Sequence, residues 1–113
     1  MNTLKLDISE LEIDNNQTLL SSRNYDKYFE YNENFKTSVV LQPNGGYKTI
    51  NFNEVSSPFA LIIVSDKLIN ANINGNEITN TQLVVLNTAI QSVQIADVDL
   101  VEANVTIYIW GKQ

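Results

Sequence analysis

Carboxylates are the groups in this chain best equipped for acid–base chemistry. Asp97, Asp99 and Glu102 lie close together, and Asp7, Glu10, Glu12 and Asp14 form a second acidic stretch. A retaining glycosidase would hold two of them about 5 Å apart, and an inverting one about 6.5–9.5 Å apart, on either side of a cleft. A chain of 113 residues has little material from which to build that cleft. A D-x-D pair also lacks the longer ligand spacing of a calcium loop. The three C-terminal carboxylates therefore read as solvated strand ends and loop.

The other reactive groups are fewer still. Histidine and cysteine are both absent. Without histidine the chain lacks the usual general base near neutral pH and the commonest metal ligand. Without cysteine it has neither disulfides nor thiolate metal sites. Serine and threonine are plentiful, yet no Gly-x-Ser-x-Gly elbow is present to present one as a nucleophile. Gly45-Gly46 falls in a hairpin loop instead of between a strand and a helix, so it makes no phosphate cradle. The sequons Asn16-Gln17-Thr18 and Asn104-Val105-Thr106 follow no secretory signal, and the second lies in a predicted strand. The expectation is a non-enzyme with no catalytic residue, no cofactor and no metal.

What remains is aromatic surface. Tyr25, Tyr28, Phe29, Tyr31 and Phe35 are five of the ten aromatics, gathered in eleven positions, and Tyr108 and Trp110 sit in the closing strand. Such side chains can fill a core, anchor a protein interface, or stack on sugar rings. All three readings stand for the first cluster. The seven residues are the interface candidates, and a carbohydrate-binding module built on residues 25–35 is the alternative.

The elements that must position these residues are strands. Asparagine occupies 16 of 113 positions; it competes for backbone hydrogen bonds and favours turns over helix interiors, although an AT-rich genome would also enrich it. Leu4, Leu6 and Ile8 alternate, and Leu11 and Ile13 resume in the other phase, which predicts a strand with a bulge or break after Ser9-Glu10. Residues 25–35 fit a strand or extended arm better than a helix. Residues 38–41 and 47–52 flank a hairpin loop, Gln42-Pro43-Asn44-Gly45-Gly46. The run Phe59-Ala60-Leu61-Ile62-Ile63-Val64 predicts a central strand covered on both faces. Ile69, Ala71 and Ile73 alternate with asparagines up to Asn74-Gly75, a tight-turn signal after which residues 77–79 pair back. Further strands are predicted at 83–86, 90–95 and 104–110. In the last of these, Val105, Ile107 and Ile109 oppose Thr106, Tyr108 and Trp110, so both faces carry large apolar groups and the outer one needs a cover.

With no helices between them, these strands predict an antiparallel β-sandwich of about eight strands, jelly-roll or immunoglobulin-like, with less than about a tenth of the residues in helix. One domain, 1–113, is expected, with residues 1–38 as an N-terminal docking arm. The net charge of −6, with seven scattered basic residues, opposes nucleic-acid binding. The longest apolar run is far short of the ~20 residues of a membrane-spanning helix. The N-terminal residues reach Asp7 before any apolar signal-peptide core, so secretion by that route is not expected.

The cadence of Thr49-Ile50-Asn51-Phe52 leading into Ser57-Pro58-Phe59-Ala60-Leu61-Ile62-Ile63-Val64-Ser65-Asp66, then 69–74, Leu83-Val84-Val85-Leu86-Asn87-Thr88, 90–95 and 105–111, resembles the small β-sandwich structural proteins of tailed-phage virions. The likeness spans residues 39–111 and carries no shared functional motif. It implies a head, neck or tail subunit, assembled in the host cytoplasm and located in the virion. The implied partners are itself, as a homo-oligomer with a trimer as the first guess, and other virion proteins.

Overall fold

The computed structural model describes residues 1–113. It contains eight strands and no helix: β1 (Asn2–Ile13), β2 (Leu19–Tyr31), β3 (Glu33–Leu41), β4 (Lys48–Thr49), β5 (Pro58–Ile73), β6 (Asn76–Asn87), β7 (Val93–Asp97) and β8 (Ala103–Gly111). Every pairing is antiparallel. The chain has the expected all-β, β-sandwich-like character with the expected number of strands. It divides into two compact units, Met1–Tyr31 and Asn32–Gln113. The boundary falls earlier than the expected arm of 1–38, because Glu33 to Ser38 pair with β8 and so belong to the second unit.

The first unit is the β1–β2 hairpin. Its strands pair from Asn2↔Tyr31 to Glu12↔Ser21, with a register shift only between Glu12 and Ile13. The expected break after Ser9-Glu10 does not occur; the change of apolar phase there moves Leu11 and Ile13 to the opposite face without interrupting the ladder. Asp14 shapes the turn. Its Oδ1 accepts from the backbone N–H of Asn16 and of Thr18, both at 2.9 Å, while Gln17 takes a φ of 65°.

The second unit is a body built from one six-stranded sheet, ordered β3-β8-β5-β7-β4, with β6 on the other edge of β5. Long β5 serves two halves. Residues 58–65 pair with β8, residues 69–73 pair with β7, and β6 follows along the opposite edge. Between Val64 and Ile69 the register against β6 shifts: Val64 faces Leu83 and Ile69 faces Thr81, so four residues of β5 oppose Gln82 alone. Extra residues on one strand bend it and sharpen the twist. The sheet turns over at this corner, and the inner faces of the two halves share one core. Leu61, Ile63, Val105, Ile107 and Ile109 come from one half, and Ile69, Ala71, Ile73, Val93 and Ile95 from the other. All are buried.

Polar side chains hold the corner. The Ser65 hydroxyl, buried, donates to the Lys67 carbonyl at 2.7 Å and accepts from the Lys67 N–H at 3.2 Å. The Asp66 carboxylate accepts from the Asn104 backbone N–H at 2.7 Å and from its side-chain amide at 2.9 Å. These bonds, the side-chain one first, hold the Asp66 carboxyl below its usual pKa of 3.8. Gln82 donates to the Asp66 carbonyl from the facing strand.

The far end of the hairpin is closed by Asn74-Gly75, with φ values of 55° and 84°, the left-handed pair that the dipeptide predicts. Asn74 also reaches across to the loop before β7. Its Oδ1 accepts from the N–H groups of Gln91 and Ser92, and its Nδ2 donates to the Ala89 carbonyl. That anchoring is why β7 begins at Val93 and not at Ile90 as expected, since the N–H groups of 90–92 are turned to Pro58 and Asn74. The expected strand at 47–52 shrinks to Lys48–Thr49. Ile50 still donates to Val93, but Asn51 caps the N–H of Asn53 and turns the chain away. Gly111 is required by close packing: a Cβ there would run into Val55 and lie 2.9 Å from the Ser57 carbonyl oxygen.

Candidate protein interface

In an antiparallel pair, residues directly opposite each other lie on the same face. The register of the β1–β2 hairpin therefore sorts its side chains. One face carries Leu4 with Phe29, Leu6 with Lys27, Ile8 with Tyr25, and Asn2 with Tyr31. The other carries Thr3 with Glu30, Lys5 with Tyr28, Asp7 with Asp26, and Ser9 with Asn24. Toward its base the hairpin thus has an apolar face and a polar face. Ile8 and Tyr25, paired on the apolar face, are 45% and 47% exposed. Near the turn Leu11, Ile13, Leu19 and Leu20 are exposed as well.

The body has its own apolar surface. On the outer face of the half formed by β3, β8, β5 and β6, Ile62 lies between Val85 and Tyr108, Val64 between Leu83 and Thr106, and Ala60 between Asn87 and Trp110. Val64, Leu83 and Val85 are 46%, 60% and 38% exposed. The rings of Tyr108 and Trp110 stack with centroids 5.9 Å apart and planes at 10°. At the margin the Lys36 ammonium lies 5.3 Å from the Tyr108 ring centroid, and Ser38 stands opposite Thr106. A contiguous apolar patch with a polar rim is the composition of a protein-binding face.

The seven candidate residues are distributed over both units. Tyr25, Phe29 and Tyr31 share the apolar face of the hairpin, whereas Tyr28 lies on the polar face, with the Lys5 ammonium 5.7 Å from its ring centroid. Phe35 belongs to the body, opposite Ile109 and packed against the core. Residues 25–35 are extended throughout apart from the bend at Asn32, and the five aromatics form no single platform. Tyr108 and Trp110 lie together on the outer face of the body, as alternation predicts. Ile62, Val64, Leu83 and Val85 escaped the sequence reading. The run 59–64 reads as a strand covered on both faces and 83–86 as a further apolar strand, but the chain buries Ala60, Leu61, Ile63 and Val84, packs Leu86 partly against the core, and leaves Val64, Leu83 and Val85 exposed.

Two of the carboxylates considered for chemistry, Asp97 and Asp99, have structural tasks. Asp99 Oδ2 accepts from the Leu68 N–H, and Asp97 Oδ1 accepts from the Asp99 N–H, tying the β7–β8 loop to the corner of β5. No three carboxylates come together in a way that could hold a metal ion. A hollow of about 310 Å³ is lined by amides, hydroxyls and apolar groups from residues 49–53 and 91–93, with no acid or base among them.

Compared with family models, curated proteins and solved structures, the chain matches none.

Proposed function

We propose that the chain is a non-enzymatic structural subunit of a phage particle, a head, neck or tail component acting through protein–protein interfaces. The observation that carries the assembly reading is the hairpin. Two strands alone are marginally stable in water and need a covered apolar face to persist. Here the two-stranded sheet leaves Ile8 and Tyr25, paired on one face, nearly half exposed, and Leu11, Ile13, Leu19 and Leu20 exposed nearer the turn. A docking element that gains its cover from another chain meets that need. The phage assignment adds the cadence of residues 39–111, and with it a homo-oligomer of host-assembled virion subunits, a trimer being the first state to look for.

Light scattering of the purified protein, alone and with the products of neighbouring genes, tests this. A stable oligomer, or a complex with head or tail proteins, is the expected result, weakened in the Tyr108→Ser and Trp110→Ser variants. A strictly monomeric protein that joins no neighbour removes the assembly reading, and binding to a glycan array would then put a carbohydrate-binding module in its place.

A further inference from the structure

We infer that Asn44 is a site of spontaneous deamidation in the folded protein, and that Asn74, in the same Asn-Gly dipeptide, is protected. The chain holds two such pairs, Asn44-Gly45 and Asn74-Gly75. In this reaction the backbone nitrogen after the asparagine gives up its proton and bonds to the side-chain Cγ. The Cγ–Nδ2 bond breaks, the amide nitrogen leaves with that proton as ammonia, and a cyclic succinimide remains. Water then opens the ring. Addition at Cγ gives aspartate, and addition at the backbone carbonyl gives isoaspartate, with the chain rerouted through Cβ. No atom is oxidised or reduced, and solvent water is the only co-reactant. Glycine favours the attack because no Cβ crowds its nitrogen.

The two asparagines have φ values of 60° and 55°, so φ does not separate them. Their side chains do. Asn74 Oδ1 accepts from the N–H groups of Gln91 at 2.6 Å and Ser92 at 3.1 Å, and Nδ2 donates to the Ala89 carbonyl at 2.7 Å. Bringing Cγ to the Gly75 nitrogen means turning that amide out of all three bonds, in a turn closed by the Ile73↔Asn76 pair. Asn44 is exposed, as are Gln42, Gly45 and Gly46 around it. No ladder joins the strands on either side of this loop, because β3 pairs with β8 and β4 with β7. One backbone bond, from the Gly45 N–H to the Gln42 carbonyl at 3.2 Å, has to open before attack, and it lies at the long end of the ordinary range. Exposed segments with few buried contacts open most readily. The three side-chain bonds, each modest in net strength, are together expected to slow Asn74 by about tenfold or more relative to Asn44.

The test is to incubate the folded protein at mildly alkaline pH, digest it with trypsin, and follow peptides 37–48 and 68–112, which carry the two sites, by fragmentation in a mass spectrometer. Aspartate and isoaspartate are expected to accumulate at position 44 about tenfold faster than at position 74, or more. In urea, where the Asn74 bonds are lost, the two rates are expected to converge. Isoelectric focusing of the ageing wild type should show a growing acidic form, whereas Asn44→Asp migrates as that form from the start and gains no more of it over the same interval. Conversion at 74 as fast as at 44 in the folded protein overturns the inference. So does a folded protein in which neither site converts although both do in urea. A difference in rate that persists in urea would place the selectivity in the neighbouring residues and overturn the protection assigned to the Asn74 bonds.

Discussion

The hairpin and the body are made from the same kind of sequence, and they use it differently. In β1 and β2, as in β8, apolar and polar residues alternate over a long strand. In β8 the alternation ends in burial, with Val105, Ile107 and Ile109 at 1% exposure or less. In the hairpin the same pattern leaves Ile8 and Tyr25 nearly half exposed. What differs is the number of strands alongside: β8 lies between β3 and β5 beneath a second half-sheet, while β1 and β2 form a sheet of two. Alternation fixes which side chains share a face; topology decides whether that face is covered.

The comparison can be broken most severely in the body. Ile107→Ala empties a site at 0% exposure and is expected to cost about 2–5 kcal/mol in urea unfolding, the range for large-to-small changes in a close-packed core. Asn74→Ala should cost about 1–3 kcal/mol, because it leaves the N–H groups of Gln91 and Ser92 without their acceptor and places alanine at a φ of 55°. Asp66 supplies a pH signature. Its carboxyl titrates below 3.8 when folded and near the ordinary value when unfolded, so its contribution is complete above about pH 4 and is lost as pH falls through the lowered value. In Asp66→Asn that part of the acid dependence of melting should vanish. The smallest effect belongs to the hairpin: Leu11→Ser with Leu19→Ser, both well exposed near its turn, should shift the unfolding of the monomeric protein by less than about 0.5 kcal/mol. A large loss in the monomer would mean that the hairpin supports the body's own stability, and the contrast drawn here would fail.

Much of this was legible in the residues. The Asn74-Gly75 turn, the inward set of β8 and the outward Tyr108 and Trp110 follow from a period of two and the conformational freedom of Asn-Gly. The continuity of β5 was not, because Ser65-Asp66-Lys67 reads as a polar break. Those residues are polar because they satisfy a corner, and the partners that reveal this, Gln82 and Asn104, are distant in sequence. The outer patch was hidden for a related reason. A continuous apolar run is the same string whether its second face meets another layer or stays open, so 59–64 and 83–86 could not declare that Ile62, Val64, Leu83 and Val85 would be left outside. The aromatics at 25–35 misled by proximity: neighbours in sequence were dealt to opposite faces and to separate units.

The placement of β8 also governs how the body comes together in time. Ser38 and Thr106, opposite each other in the β3–β8 ladder, are 68 positions apart, whereas the β5–β6 hairpin is closed by a two-residue turn. Local pairing is fast and distant pairing pays its loop-closure entropy first, so the bent hairpin forms early and β8 inserts late, in the millisecond-to-second regime of non-local β folds. Until it does, the first half of β5 offers an open edge with a vacant slot beside it, and β3, which pairs only with β8, has no place in the sheet. Crowded molecules caught at that stage can fill the slot with one another's β8, and yield on refolding should therefore fall as protein concentration rises.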